Sequence, residues 1–250
     1  MENTLQHCLP LIRFFSLSSK EFLENVHPFK NLINHQLYKN LLNSHLDPES
    51  EPTDDISFPR IIKNDGIIDS KIVNNLNIIS TISRRIDKMV INNKFDHLRG
   101  LYLPYNFQLL LIGSRDGFTP RKFHQLCDGK HNTVTFIKVK GTEEILGGYN
   151  PIKWDSSGWG KTKDSFIFSY KNNFIKDIII SNVVDSEYAL QCQTRLGPYF
   201  GSDIIIYNNS IESADYNNIR CRKYYYEKKI RDTEEKFSIE DYEVYQITRR

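Results

Sequence analysis

The spacing of apolar residues predicts two short helices near the start of the chain. Ser18 and Glu21 have the spacing of a capping box, and an apolar face follows over residues 22–26. Pro28 lacks a backbone N–H, so we expect the first helix to end there. Residues 37–46 carry leucines and a tyrosine close to a 3.6-residue period, which predicts the second helix.

A third periodic stretch predicts one more helix before the β-rich part of the chain. Apolar side chains recur there every three or four positions, at Ile72, Leu76, Ile79, Ile82, Ile86, Met89 and Val90. The predicted helix therefore covers Ile72–Val90.

From Tyr105 onward, short apolar runs separated by turn residues predict β-strands. Thr133–Val139 and Ile145–Tyr149 flank Lys140–Glu144, a composition typical of a hairpin loop. Phe166, Phe168 and Tyr170 alternate along another strand, and the remaining predicted strands are Gln108–Ile112, Asp177–Ser181, Glu187–Cys192, Ile204–Tyr207, Lys223–Glu227 and Tyr242–Ile247.

Few helices are predicted among these strands. One is Pro120–Cys127, which Thr119 or Ser114 would cap. Strands at this spacing favour antiparallel sheets packed face to face. The predicted fold class is mainly β (α+β), a two-sheet antiparallel β-sandwich with flanking helices, preceded by short N-terminal helices.

Charge is nearly balanced over the 250 residues, with 33 basic and 31 acidic side chains. However, five carboxylates and two prolines fall within Leu46–Asp55. Such a stretch cannot bury a core face, so it predicts a solvated linker. The chain is thus divided into a helical segment at residues 1–46, an acidic proline-containing linker at 47–69, and a main domain at 70–250.

Composition also limits location and cofactors. No apolar run reaches the roughly 18 residues needed to span a bilayer, and the amino terminus lacks a signal-peptide pattern, so we expect no integral membrane segment. The four cysteines are far apart and lack zinc-ligand spacing. We therefore expect reduced thiols, a cytoplasmic location, no metal site and no cofactor.

Patterns typical of catalysis are weak. Gly160-Lys161-Thr162 resembles the end of a phosphate-binding loop, but Asp155 occupies the position where that loop needs a glycine. His124 lies three residues before Cys127, so a nucleophilic pair is conceivable, yet no orienting third group or protease signature accompanies it. We expect no catalytic residue.

A basic stretch, Arg220–Arg231, contains six cations and three tyrosines. This composition can bind phosphates and stack on bases. Asp232, Glu234 and Glu235 follow and cancel much of its field. We favour a charged strand with a turn, keep an acidic protein partner as the alternative, and expect no nucleic-acid partner.

Several motifs occur in a fixed order through Tyr105–Ile247. They are a strand with a small-polar loop (Leu109–Phe118), a short helix (Phe123–Cys127), a hairpin ending in Gly-Gly-Tyr (Phe136–Tyr149), a proline–tryptophan segment (Asn150–Trp154), an aromatic strand (Gly160–Tyr170), a glycine-flanked strand (Gly197–Ile206), a cysteine before an aromatic (Cys221), and a closing strand (Phe237–Tyr245). In this order they resemble the TLDc domain family.

The resemblance implies a two-sheet sandwich with flanking helices and no settled catalytic residue. Relatives are associated with resistance to oxidative stress and with binding the vacuolar ATPase. The sequence departs from the family at Pro198, which interrupts a run of glycines, and at Asp164, where many relatives carry Glu. The family-signature residues, structural or partner-binding, are Gly117, Gly147, Gly148, Tyr149, Trp154, Asp164, Phe168, Gly197, Gly201, Cys221 and Glu243.

The signature residues have a simple physical interpretation. Adjacent Gly147 and Gly148 allow a bulge or a close backbone approach, and Trp154 is suited to filling the end of a sandwich. Gly197 and Gly201 predict a tight connection before the next strand. We favour a role in specifying the fold, with docking of a partner at this turn-rich end as the alternative.

The first part of the chain is similar to the end of a BACK domain. The similarity rests on Cys8–Arg13 and Ser18–Phe22. Residues 1–46 are therefore interpreted as a BACK-like helical remnant, as in BTB–BACK–TLDc proteins.

The favoured functional hypothesis is a non-enzymatic TLDc module that binds protein, with vacuolar ATPase subunits as the partner that the resemblance implies. One alternative is a thiol-based antioxidant enzyme that uses Cys127 with His124, or a carboxylate site around Asp164. The other is a ubiquitin-ligase adaptor fragment of the BTB/BACK type.

Overall fold

The computed structural model describes residues 14, 17, 19–46, 67–88, 102–155, 158–171, 178–207 and 219–250. Most of the predicted acidic linker, the segment Cys8–Arg13, and Met89 and Val90 lie outside these residues. The chain divides into two compact units, Met1–Lys63 with Asn75–Leu103 and Asn64–Asn74 with Pro104–Arg250.

The first unit is helical in its described part. It contains α1 (Ser19–Asn25), α2 (His35–Leu46) and α3 (Leu76–Ile86), with a 3-10 turn at His27–Leu32. The two predicted N-terminal helices are therefore present, and Pro28 lies at the start of the 3-10 turn, after α1 has ended. A small core consists of Phe14, Phe22, Val26, Ile33 and Leu41.

Helix α3 begins four residues later than predicted, so the predicted start at Ile72 is wrong. The side chain of Asn75 accepts the N–H two residues further on at 2.9 Å and caps the helix. Ser70 Oγ accepts the N–H groups of Ile72 and Val73 at 3.1 and 2.7 Å. These bonds hold both residues before the helix, where their side chains are nevertheless buried and extend the apolar period.

The second unit is built mainly of strands. They are β1 (Tyr105–Ile112), β2 (Thr133–Val139), β3 (Glu144–Asn150), β4 (Gly158–Gly160), β5 (Phe166–Lys171), β6 (Ile179–Asn182), β7 (Leu190–Cys192), β8 (Leu196–Phe200), β9 (Ile204–Tyr207), β10 (Arg220–Cys221) and β11 (Ile239–Arg249). Short helices α4 (Gly113–Asp116) and α5 (Pro120–Cys127) and a 3-10 turn at Ser186–Tyr188 accompany them.

Six strands form one antiparallel sheet in the order β1-β11-β2-β3-β5-β6. Strands β10-β9-β8 and the pair β4-β7 form smaller antiparallel sheets. Leu146 and Ile167 from the large sheet share one buried core with Phe200 and Ile206 from the smaller one. The predicted two-sheet antiparallel sandwich with flanking helices is confirmed.

Local patterns predicted several elements well. The hairpin between β2 and β3 turns at Gly141, whose φ of +73° suits glycine. Thr119 caps α5 by accepting the N–H of Lys122 at 3.2 Å. Strand β11 is longer than predicted because it pairs with β1 on one side and β2 on the other.

One predicted strand is wrong in part and another is wrong. In Glu187–Cys192 only β7 is a strand, because Asp185 accepts the N–H of Glu187 at 3.1 Å and starts the 3-10 turn. Lys223–Glu227 is not a strand. Asp203 accepts the N–H groups of Tyr224, Tyr225 and Tyr226, and within the described residues only the N–H of Glu227 donates to a neighbouring strand, at the backbone oxygen of Asn182 in β6. A local alternation of apolar residues cannot show that a distant side chain takes these donors.

Candidate protein-binding surface

The family-signature residues are mostly buried in the second unit. Nine of the eleven are buried, whereas Gly117 is half-buried and Asp164 is exposed. Successive residues of a strand point to opposite faces, so the signature residues of β3 divide between the two faces of the large sheet. The signature residues of β3 therefore pack against different neighbours on the two faces of the large sheet.

Gly147, Phe168 and Glu243 lie in one row across the large sheet. The strand register pairs Glu243 with Phe136, Phe136 with Gly147, and Gly147 with Phe168. A Cβ at Gly147 would lie 2.2 Å from the backbone oxygen of Thr135 and 2.4 Å from the Phe168 ring. Close approach of neighbouring atoms therefore requires glycine at this position.

Glu243 ties the start of the second unit to the sheet. Its buried carboxylate accepts from Ser70 Oγ at 2.5 Å and from the N–H of Lys71 at 2.8 Å, and the Tyr245 hydroxyl lies 3.0 Å away. A buried charge is tolerated when several donors satisfy it. Glu243 is thus placed as a structural anchor.

Trp154 fills space in the core. It is 1% exposed, and its Nε1–H donates to Thr133 Oγ1 at 2.8 Å. The rings of Phe123 and Phe200 meet it edge-on, at centroid distances of 5.2 and 5.9 Å. A Cβ at Gly148 would lie 2.6 Å from Phe200, so Gly148 makes room for this ring group.

Tyr149 and Asp164 have different surroundings. The Tyr149 hydroxyl donates to Asn132 Oδ1 at 3.1 Å, and its ring lies 5.3 Å from that of Phe166. Asp164 is exposed, and its backbone N–H donates to Thr162 Oγ1 at 3.1 Å. Asp164 thus belongs to the surface turn that leads into β5.

The thiols of Cys127, Cys192 and Cys221 are free and buried. Burial raises the pKa of Cys192 to about 11 and the pKa of Cys221 to about 12, and it raises the pKa of Cys127 as well. Because the thiolate is the reactive form, these shifts make all three groups poor nucleophiles at neutral pH.

His124 does not activate Cys127 in this arrangement. Its Nδ1 lies 2.8 Å from Asp128 Oδ1, and its Nε2 lies 2.9 Å from the backbone oxygen of Gln193. Both ring nitrogens are therefore engaged elsewhere. Within the described ranges, no three His, Cys, Asp or Glu side chains are grouped as metal ligands, and no helix is long and apolar enough to cross a membrane.

Five side chains of the second unit form an aromatic patch, namely Trp159, Val184, Tyr188, Tyr224 and Tyr225. Val184 is 70% exposed and Tyr224 is 56% exposed. Ring centroids lie 5.1 Å apart for Trp159 and Tyr188, and 5.0 Å apart for Tyr188 and Tyr225. The N–H of Val184 donates to the backbone oxygen of Tyr225 at 2.8 Å, which places it beside the rings.

Buried polar groups hold the aromatic patch in place. The Asp203 carboxylate accepts the N–H groups of Tyr224, Tyr225 and Tyr226 at 2.9, 2.8 and 3.2 Å. Burial raises the pKa of Asp203, although these three donors act in the opposite direction. Gly201 has a φ of +57°, and a Cβ there would lie 3.2 Å from the Tyr225 ring. A signature glycine therefore lies directly beside the patch.

The sequence patterns did not indicate the aromatic patch. Tyr224 and Tyr225 were predicted to lie on a charged strand, and Trp159 belonged to none of the motifs. One sequence signal could have identified it, because Trp159 stands between Gly158 and Gly160 in a polar stretch. A large ring with glycine on both sides is poorly placed to be buried by its own strand.

The fold and the surface define a class of protein, a two-sheet antiparallel β domain that exposes aromatic side chains on a rigid support. Comparison with known families matches residues 69–248, well over half of the chain, to the TLDc domain. The chain belongs to the TLDc domain family, as its motifs predicted. A search of curated proteins found no match.

Proposed function

We propose that this TLDc domain acts without catalysis, by binding another protein through the aromatic patch. The observation that carries the proposal is the group of exposed rings fixed by Asp203 and Gly201. Tyr and Trp side chains supply much of the binding energy at protein interfaces. A surface that is already ordered also loses little conformational entropy on binding.

Vacuolar ATPase subunits are the first partner we propose, and oxidative-stress resistance is the process. Both follow from what the TLDc resemblance implies. We also propose a cytoplasmic location, where buried reduced thiols such as Cys192 and Cys221 persist.

A capture experiment tests the partner and the surface together. The immobilised full chain is incubated with solubilised vacuolar membranes, and pump subunits are quantified. Tyr224→Ala is expected to reduce capture by about tenfold or more. Phe29→Ala is the matched control, because Phe29 is also 56% exposed but lies in the first unit.

Two results would count against the proposal. Capture that is no greater than with an unrelated β-sandwich protein would reject the vacuolar ATPase as the partner. Equal capture by Tyr224→Ala and the unchanged chain would reject the aromatic patch as the contact surface.

The antioxidant alternative is opposed by the buried thiols with raised pKa values. Replacement of all four cysteines by serine is therefore expected to leave protection against peroxide undiminished in cells that express the chain. Loss of protection, at unchanged protein abundance, would restore the thiol-based alternative.

We further propose that residues 1–46 are a BACK-like remnant, joined through a linker at 47–69 to the TLDc domain at 70–250. An adaptor role would use the exposed apolar side chains Leu23, Phe29 and Leu32. Co-precipitation of a cullin with the full chain, lost on Leu32→Asp, is the result that an adaptor requires. Absence of cullin would remove this role.

A further inference from the structure

We propose that the aromatic patch binds an acidic segment of its partner, in which carboxylates flank an apolar anchor side chain. The inference rests on the proposed function, because it specifies the chemistry of the segment that this surface receives. It follows from which charges around the patch are paired and which are free.

The carboxylates around the aromatic patch are already engaged within the chain. Glu187 forms an ion pair with Lys161. Asp185 accepts the N–H of Glu187 at 3.1 Å, and Asp203 is buried with its three N–H donors. Asp164 also has an interaction within the chain. The charge of Glu187 is thus offset by a lysine, and the charge of Asp203 is removed from the surface by burial.

Two lysines beside the aromatic patch are available. Lys163 and Lys223 are exposed, and within the described part of the chain neither ammonium lies within ion-pair or hydrogen-bond distance of a partner. At longer range the Lys223 charge acts on the buried Asp203 carboxylate, whose pKa it lowers. Lys223 directly precedes Tyr224. Lys163 follows Thr162, whose N–H donates to the backbone oxygen of Ser186 at 3.0 Å, in the 3-10 turn of the patch. Free cations at the edge of an apolar surface favour an acidic partner by steering and by charge complementarity.

The rest of the basic stretch is largely neutralised. A nucleic acid requires several free cations along an extended path, because phosphate contacts supply most of its affinity. Four of the six cations in Arg220–Arg231 are instead paired with carboxylates: Arg222 and Lys229 with Glu234, Lys228 with Glu227, and Arg231 with Glu144. Of the other two cations in this stretch, Arg220 lies in β10 and Lys223 directly precedes Tyr224. The stretch therefore offers no extended path of free cations, which favours an acidic protein segment over a nucleic acid.

The aromatic rings of the patch determine which apolar side chain of the partner segment can bind. The Trp159 ring meets Tyr188 at 88° and Tyr225 at 78°, so edges and faces form ridges between which a side chain can pack. An apolar centre with a charged rim is the usual anatomy of a protein interface. The ligand therefore needs an apolar anchor for the rings and carboxylates for Lys163 and Lys223.

Selection from a random peptide display library tests this chemistry. The full chain is the target, and counter-selection on the Trp159→Ala, Tyr224→Ala variant removes peptides that bind elsewhere. We expect the enriched peptides to combine Asp or Glu with Leu, Phe or Trp. Their affinity should fall as salt rises, because charge interactions at a surface are screened beyond about 8 Å at physiological ionic strength.

Charge reversal identifies the two lysines. The Lys163→Glu, Lys223→Glu variant should weaken binding of an enriched acidic peptide by about tenfold or more, measured by fluorescence anisotropy. Lys140→Glu is the matched control and should leave affinity unchanged. Lys140 is an exposed lysine in the turn between β2 and β3. This turn lies near the end of β5, because Glu144 pairs with Lys171, the last residue of that strand. The aromatic patch adjoins the segment before the start of β5, so Lys140 and the patch are at opposite ends of the strand.

Several results would overturn the inference. They are enrichment of basic or uncharged peptides, an empty selection, tighter binding of single-stranded RNA than of acidic peptide, or equal affinity of the double lysine variant. Pump capture that is lost in Tyr224→Ala but kept in the double lysine variant would reject the acidic segment and retain the proposed function. Selection of acidic peptides without any pump capture would retain the inference and reject the vacuolar ATPase.

Discussion

Trp154→Ala removes a ring that is 1% exposed from the core between the two sheets. Loss of a buried aromatic side chain costs about 3–5 kcal/mol of unfolding free energy. The substitution also leaves the buried Thr133 hydroxyl without its donor, and an unsatisfied buried polar group costs about 1–3 kcal/mol. We therefore expect a total loss of about 4–8 kcal/mol.

The chain contains one other tryptophan, which provides a matched control. Trp159 is 36% exposed and packs against Tyr188 and Tyr225, so Trp159→Ala should lower the unfolding free energy by about 1–3 kcal/mol, less than Trp154→Ala. Urea denaturation followed by far-ultraviolet circular dichroism is the assay, because both variants lose a fluorescent ring. Trp154→Phe keeps an aromatic ring beside Phe123 and Phe200 and should fall between the other two.

The two tryptophans also separate stability from binding. We expect Trp159→Ala to lose partner capture while it unfolds at a clearly higher urea concentration than Trp154→Ala. Equal destabilisation by both alanine variants would contradict the burial argument. A loss below about 1 kcal/mol for Trp154→Ala would do the same, since it would place that ring near the surface.

Two other predictions concern packing and the thiols. Gly147→Ala should destabilise the domain by about 1–3 kcal/mol in thermal unfolding, because the new Cβ would overlap the Thr135 oxygen. Gly141→Ala is the control: a Cβ there would have no atom within 4 Å, so its cost of about 1 kcal/mol would come only from the positive φ. Equal losses in the two variants would refute the steric reason. The raised pKa values of Cys192 and Cys221, against an ordinary value of 9.0, mean that near pH 9 both should react with iodoacetamide about 50- to 500-fold more slowly in the folded chain than in urea. From about pH 9 up to the folded pKa of each thiol, about 11 for Cys192 and about 12 for Cys221, only the unfolded thiol ionises. Stability should therefore fall with rising pH in this window by up to about 1.4 kcal/mol per unit and per thiol, and Cys192→Ala, Cys221→Ala should remove that part of the slope.

Features that depend on neighbouring residues were predictable from the sequence. The hairpin at Gly141, the capped helix after Thr119 and the paired strands around them all follow from short-range patterns. The alternation of Phe166, Phe168 and Tyr170 also identified a buried strand, since all three are at most 1% exposed. Together these local features were sufficient to specify a two-sheet sandwich.

Features that depend on distant acceptors were not predictable. Asp203 binds the N–H groups of Tyr224, Tyr225 and Tyr226, which lie within the predicted strand at Lys223–Glu227. Only the folded topology brings Asp203 to that backbone. The same is true of the aromatic patch, whose five side chains come from three separate stretches of the chain.

Within the domain, the signature residues stabilise the fold, whereas the aromatic patch is the proposed binding surface. Gly147, Trp154 and Glu243 are buried, and each satisfies a packing or hydrogen-bonding requirement of the frame. None of the five patch side chains is a family-signature residue, so in the proposed function the signature residues identify the family and the patch receives the partner.

Asp203 and Gly201 link the fold to the aromatic patch. Asp203 fixes the backbone of the patch, and Gly201 leaves room for its rings. A frame that holds the backbone at Tyr224 and Tyr225 through N–H groups does not depend on which side chains those residues carry. In the proposed function, side chains there and at Trp159 can therefore set partner choice while the sandwich beneath them stays unchanged.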